Sequence, residues 1–248
     1  MPDPVGSDLH GKTYWLVGAS EGFGQAIAEA LRAEGARLVL SARSGDKLRK
    51  MAAELGQSRA LPVDVTDMES VRAAVAEAGD VDGIIWCVGY YDPMTAQDWD
   101  ADAAVKMVDT NLSGAMRLFG MTVPAMARRG AGHVVIIGSV AGYRGLPGAI
   151  GYAAAKGALQ HLAEDMYIDL KGTGVCVQLA NPGFIRTRLS GKNDFNMPQL
   201  MEPEDAAGHV VKLMKSGRFR RDFPHPFAWV FSLGRFLPMR WFARLMGA

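Results

Sequence analysis

Cysteine is scarce in this chain of 248 residues, with only Cys87 and Cys176 present. Both fall in apolar runs expected to form buried strands, so they are expected to be small core hydrophobes rather than a disulfide or a metal pair. No metal site is expected, and a reducing compartment fits. Net charge is nearly absent as well: 27 Lys and Arg face 26 Asp and Glu, leaving +1. Such a balance gives no global pull toward nucleic acid or anionic surfaces, so partners must be recognised locally. No apolar run approaches the ~20 residues that a membrane-spanning helix needs. Met1 to Gly11 carries no basic-then-apolar export pattern, and the resulting expectation is a cytoplasmic protein. Linkers, low-complexity segments and internal repeats are also missing, which leaves one domain over residues 1–248.

What is present is an apolar fraction of 49% with 21% charged residues, an ordinary balance for a chain that buries a sizeable core. Short β-branched runs alternate with longer amphipathic stretches. Strands are expected at Thr13–Val17, Arg37–Ser41, Ala60–Val63, Gly83–Cys87, His133–Gly138 and Val175–Ala180, with Arg218–Phe223 as a possible last strand. Each of the first six is nearly all apolar, as parallel strands covered on both faces are. Helices are expected at Phe23–Leu31, Lys47–Leu55, Met68–Ala78, Trp99–Arg128 (with a break between Gly114 and Gly120), Tyr152–Lys171 and Glu202–Lys215. Strand–helix alternation with right-handed crossovers gives an α/β fold: a single Rossmann-like, doubly wound parallel sheet of about seven strands.

Three places carry chemistry. The first strand runs into Gly18-Ala19-Ser20-Glu21-Gly22-Phe23-Gly24 and then directly into a helix. Glycines at that junction allow a tight turn and a close approach to a pyrophosphate, for which the helix N-terminus supplies free N–H donors. After the second strand comes Ala42-Arg43, where a dinucleotide site for NAD needs an acid and one for NADP needs a cation. Arg43 and the hydroxyl of Ser20 therefore point to NADP(H) ahead of NAD(H); a solvated loop arginine is the ordinary alternative. The third place is Tyr152-Ala-Ala-Ala-Lys156, with Ser139 upstream at the end of a strand. On a helix, residues i and i+4 share one face, and strand carboxyl ends are where open α/β sheets bind ligands.

A phenol, an ammonium and a hydroxyl converging there could reduce a carbonyl or oxidise an alcohol. The phenol exchanges a proton with the substrate oxygen and Ser139 polarises that oxygen. A lysine cation about 4 Å away favours phenolate by roughly 4 kcal/mol at an effective dielectric of ~20, enough to bring Tyr152 toward physiological pH.

These motifs, in this order over about residues 10–190, resemble the short-chain dehydrogenase/reductase family. The resemblance implies an oxidoreductase that moves a hydride between a nicotinamide and a carbonyl or alcohol substrate. Its Ser–Tyr–Lys–Asn set falls on Ser139, Tyr152, Lys156 and Asn111, the last within Val108-Asp-Thr-Asn-Leu-Ser-Gly, where the family's Asn organises a relay water by widening its helix. The resemblance assigns cofactor contacts to the Gly18–Gly24 turn, to Asp64 and Val65 around the adenine, and to Cys87 and Gly89. It also assigns them to Tyr152 and Lys156, and to Pro182, Gly183, Ile185 and Thr187 at the carboxamide. Two positions depart from the pattern: Val17 replaces the usual Thr, and Cys87 replaces an Asn that supports the central sheet. A homodimer or homotetramer through the helices bearing Asn111 and Tyr152 is implied too.

Substrate loops are expected at Tyr90–Met94, Val140–Leu146 and from Thr187 to Leu200. They carry Tyr143, Leu146, Met94, Phe195 and Met197, with Phe184 just before the last, and favour an apolar substrate. Residues 190–217 are expected to be a substrate-loop and helix region and 218–248 a C-terminal extension. The extension mixes Phe, Trp and Arg, and prolines limit its regular structure. It packs over the pocket or a partner subunit or, less favoured, lies on a membrane as an interfacial segment. A catalytically idle NADP(H)-binding sensor acting through that extension is the competing function; the intact tetrad argues against it.

Overall fold

Successive side chains along a strand point to opposite faces of a sheet, and the central strand of this protein is apolar on both. Tyr14 and Leu16 pack into one hydrophobic layer, Trp15 and Val17 into another, all fully or almost fully buried. The structure, a computed structural model, describes residues 8–247. Residues 1–7, most of the segment considered for an export signal, and Ala248 lie outside the described residues.

In chain order the elements are β1 (Thr13–Val17), α1 (Gly22–Ala33), β2 (Arg37–Ser41), α2 (Gly45–Leu55), β3 (Ser58–Ala60), α3 (Met68–Ala78), β4 (Gly83–Trp86) and α4 (Ala101–Val108). They continue with α5 (Gly114–Arg129), β5 (Gly132–Ile137), α6 (Tyr152–Asp169), β6 (Val175–Pro182), α7 (Pro203–Met214), β7 (Arg220–Phe223), α8 (Phe227–Gly234) and α9 (Met239–Leu245). The strands form one seven-stranded sheet in the order β3-β2-β1-β4-β5-β6-β7, and every pairing is parallel. Helices α1, α2 and α7 cover one face; α3, α5 and α6 cover the other. The expected doubly wound sheet is thus observed. Strand order reverses at β1, which pairs with both β2 and β4. That reversal opens the crevice in which such sheets bind ligands.

Several boundaries differ from expectation. β3 is Ser58–Ala60, not Ala60–Val63. It is an edge strand with Arg59 exposed, so its composition hides it. Leu61 and Val63 still donate to the carbonyls of Leu40 and Ala42 at 2.8 and 3.0 Å, following β2 after regular pairing ends. β4 stops at Trp86, which puts Cys87 just beyond it. Both cysteines are free, as expected, and each is partly buried, with Cys87 packed against the core on the α1 face of the sheet. The long Trp99–Arg128 helix instead starts at Ala101, capped by the Asp100 carboxylate accepting from Ala103 N–H at 3.0 Å. It is interrupted not between Gly114 and Gly120 but by a π-helical turn at Asp109–Ser113. Beyond β7 the prolines do not prevent order: α8 forms between Pro226 and Pro238, and α9 starts directly after Pro238.

A buried polar chain ties the far end of the sheet together. The Tyr14 hydroxyl meets His133 Nδ1 at 2.9 Å, and His133 Nε2 meets Gln178 Oε1 at 2.9 Å. Gln178 Nε2 then donates to the carbonyls of Leu213, Ser216 and Arg218. Burial keeps the imidazole neutral, lowering its pKa from 6.5 to about 4. Between those values the unfolded chain binds a proton that the folded one excludes. Stability is therefore full above the unfolded pKa and falls as pH drops toward the folded one, by up to about 3 kcal/mol. Thermal unfolding followed by circular dichroism should show this acid loss. His133→Gln should flatten it while lowering the midpoint at neutral pH; an unchanged acid slope would assign the loss to other groups.

Candidate active site

Two glycines bring the first turn against the sheet. At Gly24 a Cβ would sit 1.9 Å from the carbonyl oxygen of Gly18, and at Gly18 (φ +96°) it would sit 2.6 Å from that of Cys87. The β1–α1 turn therefore lies directly on the carboxyl end of β4. No side chain caps α1, so its first-turn N–H groups are left for an anionic guest. Glu21, at the N-cap position, instead pairs with Lys47 at 3.3 Å and Arg188 at 2.5 Å. Ala42 leaves the end of β2 without a carboxylate. Arg43 beside it is exposed and, among the described residues, forms no ion pair. These features fit a dinucleotide carrying phosphate.

This turn opens into a cleft of about 1310 Å³ along the carboxyl ends of the strands. The cleft is lined by Gly18, Ser20, Glu21, Gly22, Phe23 and Gly24, by Arg43, Asp64 and Val65, and by Cys87 and Gly89. Ser139, Tyr152, Lys156, Pro182, Gly183, Ile185 and Thr187 line it too. Of the residues expected to act in catalysis or hold the cofactor, only Asn111 is absent from the wall. Asn111 is fully buried in the π-helical turn. Its Oδ1 accepts from the Tyr90 N–H at 2.7 Å and its Nδ2 donates to the Tyr90 carbonyl at 2.8 Å. It thereby fixes the loop after β4.

Tyr152 is the first residue of α6, and Lys156 lies one turn later on the same face. Lys156 is 3% exposed, and its ammonium donates to the carbonyls of Ile137 at 3.0 Å and Val88 at 3.3 Å. Burial lowers its pKa to about 8, which leaves it protonated at neutral pH. Burial raises Tyr152 to about 12, while the neighbouring Ser139 side chain pulls the other way. The expected lysine-driven descent of the phenol toward neutrality is not produced by the protein groups. Lys156 Nζ lies 5.9 Å from the Tyr152 ring centroid and is committed to backbone carbonyls, so desolvation dominates. The Cys87 thiol is likewise pushed up to about 12 by burial and stays neutral.

A sequence profile described as short chain dehydrogenase matches residues 12–197. The chain belongs to the short-chain dehydrogenase family. It is 33% identical over 231 residues to an uncharacterised oxidoreductase of Myxococcus xanthus, covering 90% of each chain. Among solved structures, a short-chain dehydrogenase from Streptomyces avermitilis superposes with a TM-score of 0.81 at 26% identity, over 90% of this chain and 92% of that one. Another, from Burkholderia cenocepacia in complex with NADP, shares the fold with a TM-score of 0.86 at 21% identity, over 96% and 98%. The protein is accordingly a short-chain dehydrogenase/reductase, an oxidoreductase of a family that binds a nicotinamide cofactor.

The substrate end of this dehydrogenase differs from the sequence expectation. Leu146, Phe184 and Phe195 line the cleft, but Tyr143, Met94 and Met197 do not. The Tyr143 hydroxyl donates to Asp222 at 2.9 Å, so that ring serves the packing around β7. Met94 is buried in a separate small cluster with Met107. In their place Phe227 and Phe231 of α8 and Leu245 and Met246 of the α9 end complete the wall. The C-terminal extension therefore packs over the cleft, held by the Arg144 guanidinium donating to the carbonyls of Gly234 and Leu237 at 2.7 and 2.6 Å. Gln160 also escaped notice. Its Nε2 donates to the Ser139 carbonyl at 2.7 Å, and the i, i+4, i+8 series Tyr152, Lys156, Gln160 was the available signal.

Gly24→Ala should lower thermal stability by about 1–3 kcal/mol, because backbone must move to admit the methyl group. Cofactor titration by fluorescence should show binding lost with it; wild-type affinity in the variant would mean that the turn does not hold the cofactor.

Proposed function

We propose that the protein is an NADP(H)-dependent oxidoreductase that interconverts a carbonyl and a secondary alcohol on an apolar substrate. The observation that carries this reading is the meeting of Ser139, Tyr152 and Lys156 at the wall of one cleft. The nicotinamide, when bound, supplies or accepts the hydride. In the reducing direction the substrate oxygen gains charge as its carbon is reduced. Ser139 holds that oxygen, and Tyr152 donates the proton to it. A phenol kept protonated by burial suits the donor role. In the oxidising direction the phenol must lose its proton first, and neighbouring positive charge favours that loss. Lys156, anchored on Ile137 and Val88, presents its ammonium beside the same pocket. Asn111 acts as a positioning residue, holding Tyr90 and the wide turn where the family places its relay water.

The preference for NADP(H) over NAD(H) rests on the uncommitted Arg43 with Ser20 nearby and no acid at position 42. Asp64, held below the usual carboxylate range first by its hydrogen bond with the Thr66 hydroxyl, and Val65 would flank the adenine. The apolar substrate is argued from Val140, Leu146, Phe184, Phe227 and Phe231 along the wall. A homodimer or homotetramer fits the exposed Val105, Met116, Tyr167 and Ile168 on α4 to α6, and free thiols fit the cytoplasm.

Tyr152→Phe should retain NADPH binding and lose about 10²–10⁴ in turnover on a panel of ketones and aldehydes. Arg43→Ala should weaken NADPH by about tenfold to a hundredfold, the value of a charge-assisted phosphate contact, and leave NADH unchanged. Full turnover in the Tyr152 variant, or equal losses for both cofactors in the Arg43 variant, would overturn the respective assignment.

A further inference from the structure

We propose that the outer faces of α8 and α9 dock on an anionic lipid bilayer. More than half of the exposed large hydrophobic residues among those described fall between residues 229 and 245. Trp229 and Leu233 on α8, Phe236 between the helices, and Met239, Trp241 and Leu245 on α9 are each more than half exposed. The inner faces are well packed: Ala228, Phe231 and Phe242 are buried against Val140, and a Cβ on Gly234 would meet the Phe242 ring at 2.8 Å. The outward apolar side chains thus belong to anchored helices and are held in place for a partner. Exposed apolar side chains concentrated in one segment in this way mark an interaction site.

Charge selects the partner. From Phe223 to the end of the sequence there is no Asp or Glu, while Arg235, Arg240 and Arg244 are all exposed. On α9, Arg240 and Arg244 alternate with Trp241 and Leu245, each pair at i, i+4. Tryptophan rings at headgroup depth, arginines on lipid phosphates and apolar tips below them form the pattern of an interfacial segment. A second copy is a poorer occupant. A two-fold contact through this face would set arginines against the same arginines with no carboxylate between them. Leu245 both lines the cleft and is exposed, so the cleft's rim lies at this surface.

Flotation of the purified full chain with vesicles of phosphatidylcholine, with and without phosphatidylglycerol, tests the proposal without requiring turnover. Its failure and a failure of the reductase reading are therefore distinguishable. The chain should float with the phosphatidylglycerol vesicles, be released by high salt, and show a blue shift of tryptophan emission. Replacing both arginines (Arg240→Ala with Arg244→Ala) should weaken binding about thirtyfold. Trp229→Ser with Trp241→Ser should abolish the blue shift, with cofactor binding and circular dichroism unchanged in both variants. Absence of flotation, flotation that the variants do not alter, or a dimer in sedimentation that dissolves in the variants would each overturn it, the last assigning the face to a second copy.

Discussion

Parallel pairing of β1 with β2 on one side and β4 on the other is the constraint on which the rest depends. From β1 the chain builds outward to β3, crosses back to β4, and then builds outward to β7. All carboxyl ends therefore share one edge of the sheet, and the loops leaving them must splay at the reversal. The glycine turn, the Cys87–Gly89 segment, Ser139 and the Pro182–Thr187 segment all hang from that edge. The close contacts of Gly18 and Gly24 show how little space remains there for any side chain.

Burial controls the electrostatics of the site more than pairwise charge does. Lys156 reaches carbonyl oxygens at the ends of β4 and β5, so α6 is tied to the sheet by the same side chain that provides the site's cation. Desolvation drives Tyr152 and Cys87 upward and Lys156 downward, which favours the neutral form of each. A site assembled this way holds its proton on the phenol until another positive charge enters the cleft. Cys87, where the family usually has Asn, remains a neutral thiol beside the turn and introduces no competing charge.

The C-terminal extension joins two roles in adjacent layers. Its inner side chains line the cleft, and its outer ones are exposed with arginines among them. Arg144 and the Phe231–Phe242 contact hold these layers in register with the loop that follows Ser139.

Much was legible in the residues because the relevant signals are local. All-apolar runs mark strands buried on two faces, the Gly18–Gly24 spacing marks a turn that must approach a ligand, and Tyr152 and Lys156 share a helix face by periodicity alone. β3 was displaced because an edge strand with an exposed Arg59 has no apolar signature, and the helix interruption was misplaced because a π-helical turn leaves no composition mark. Other features depended on contacts far apart in sequence. Tyr143 turned away from the cleft because Asp222 accepts its hydroxyl, Gln160 found the Ser139 carbonyl, and α8 and α9 came to rest over the pocket. Sequence alone determined the sheet, the close glycine turn at Gly18–Gly24 and the shared helix face of Tyr152 and Lys156, since periodicity and spacing act over one or two turns of chain. Tertiary structure alone decided which side chains line the cleft beside Ser139 and how far burial removes the Tyr152 phenol from water, since both depend on which distant groups occupy the same space.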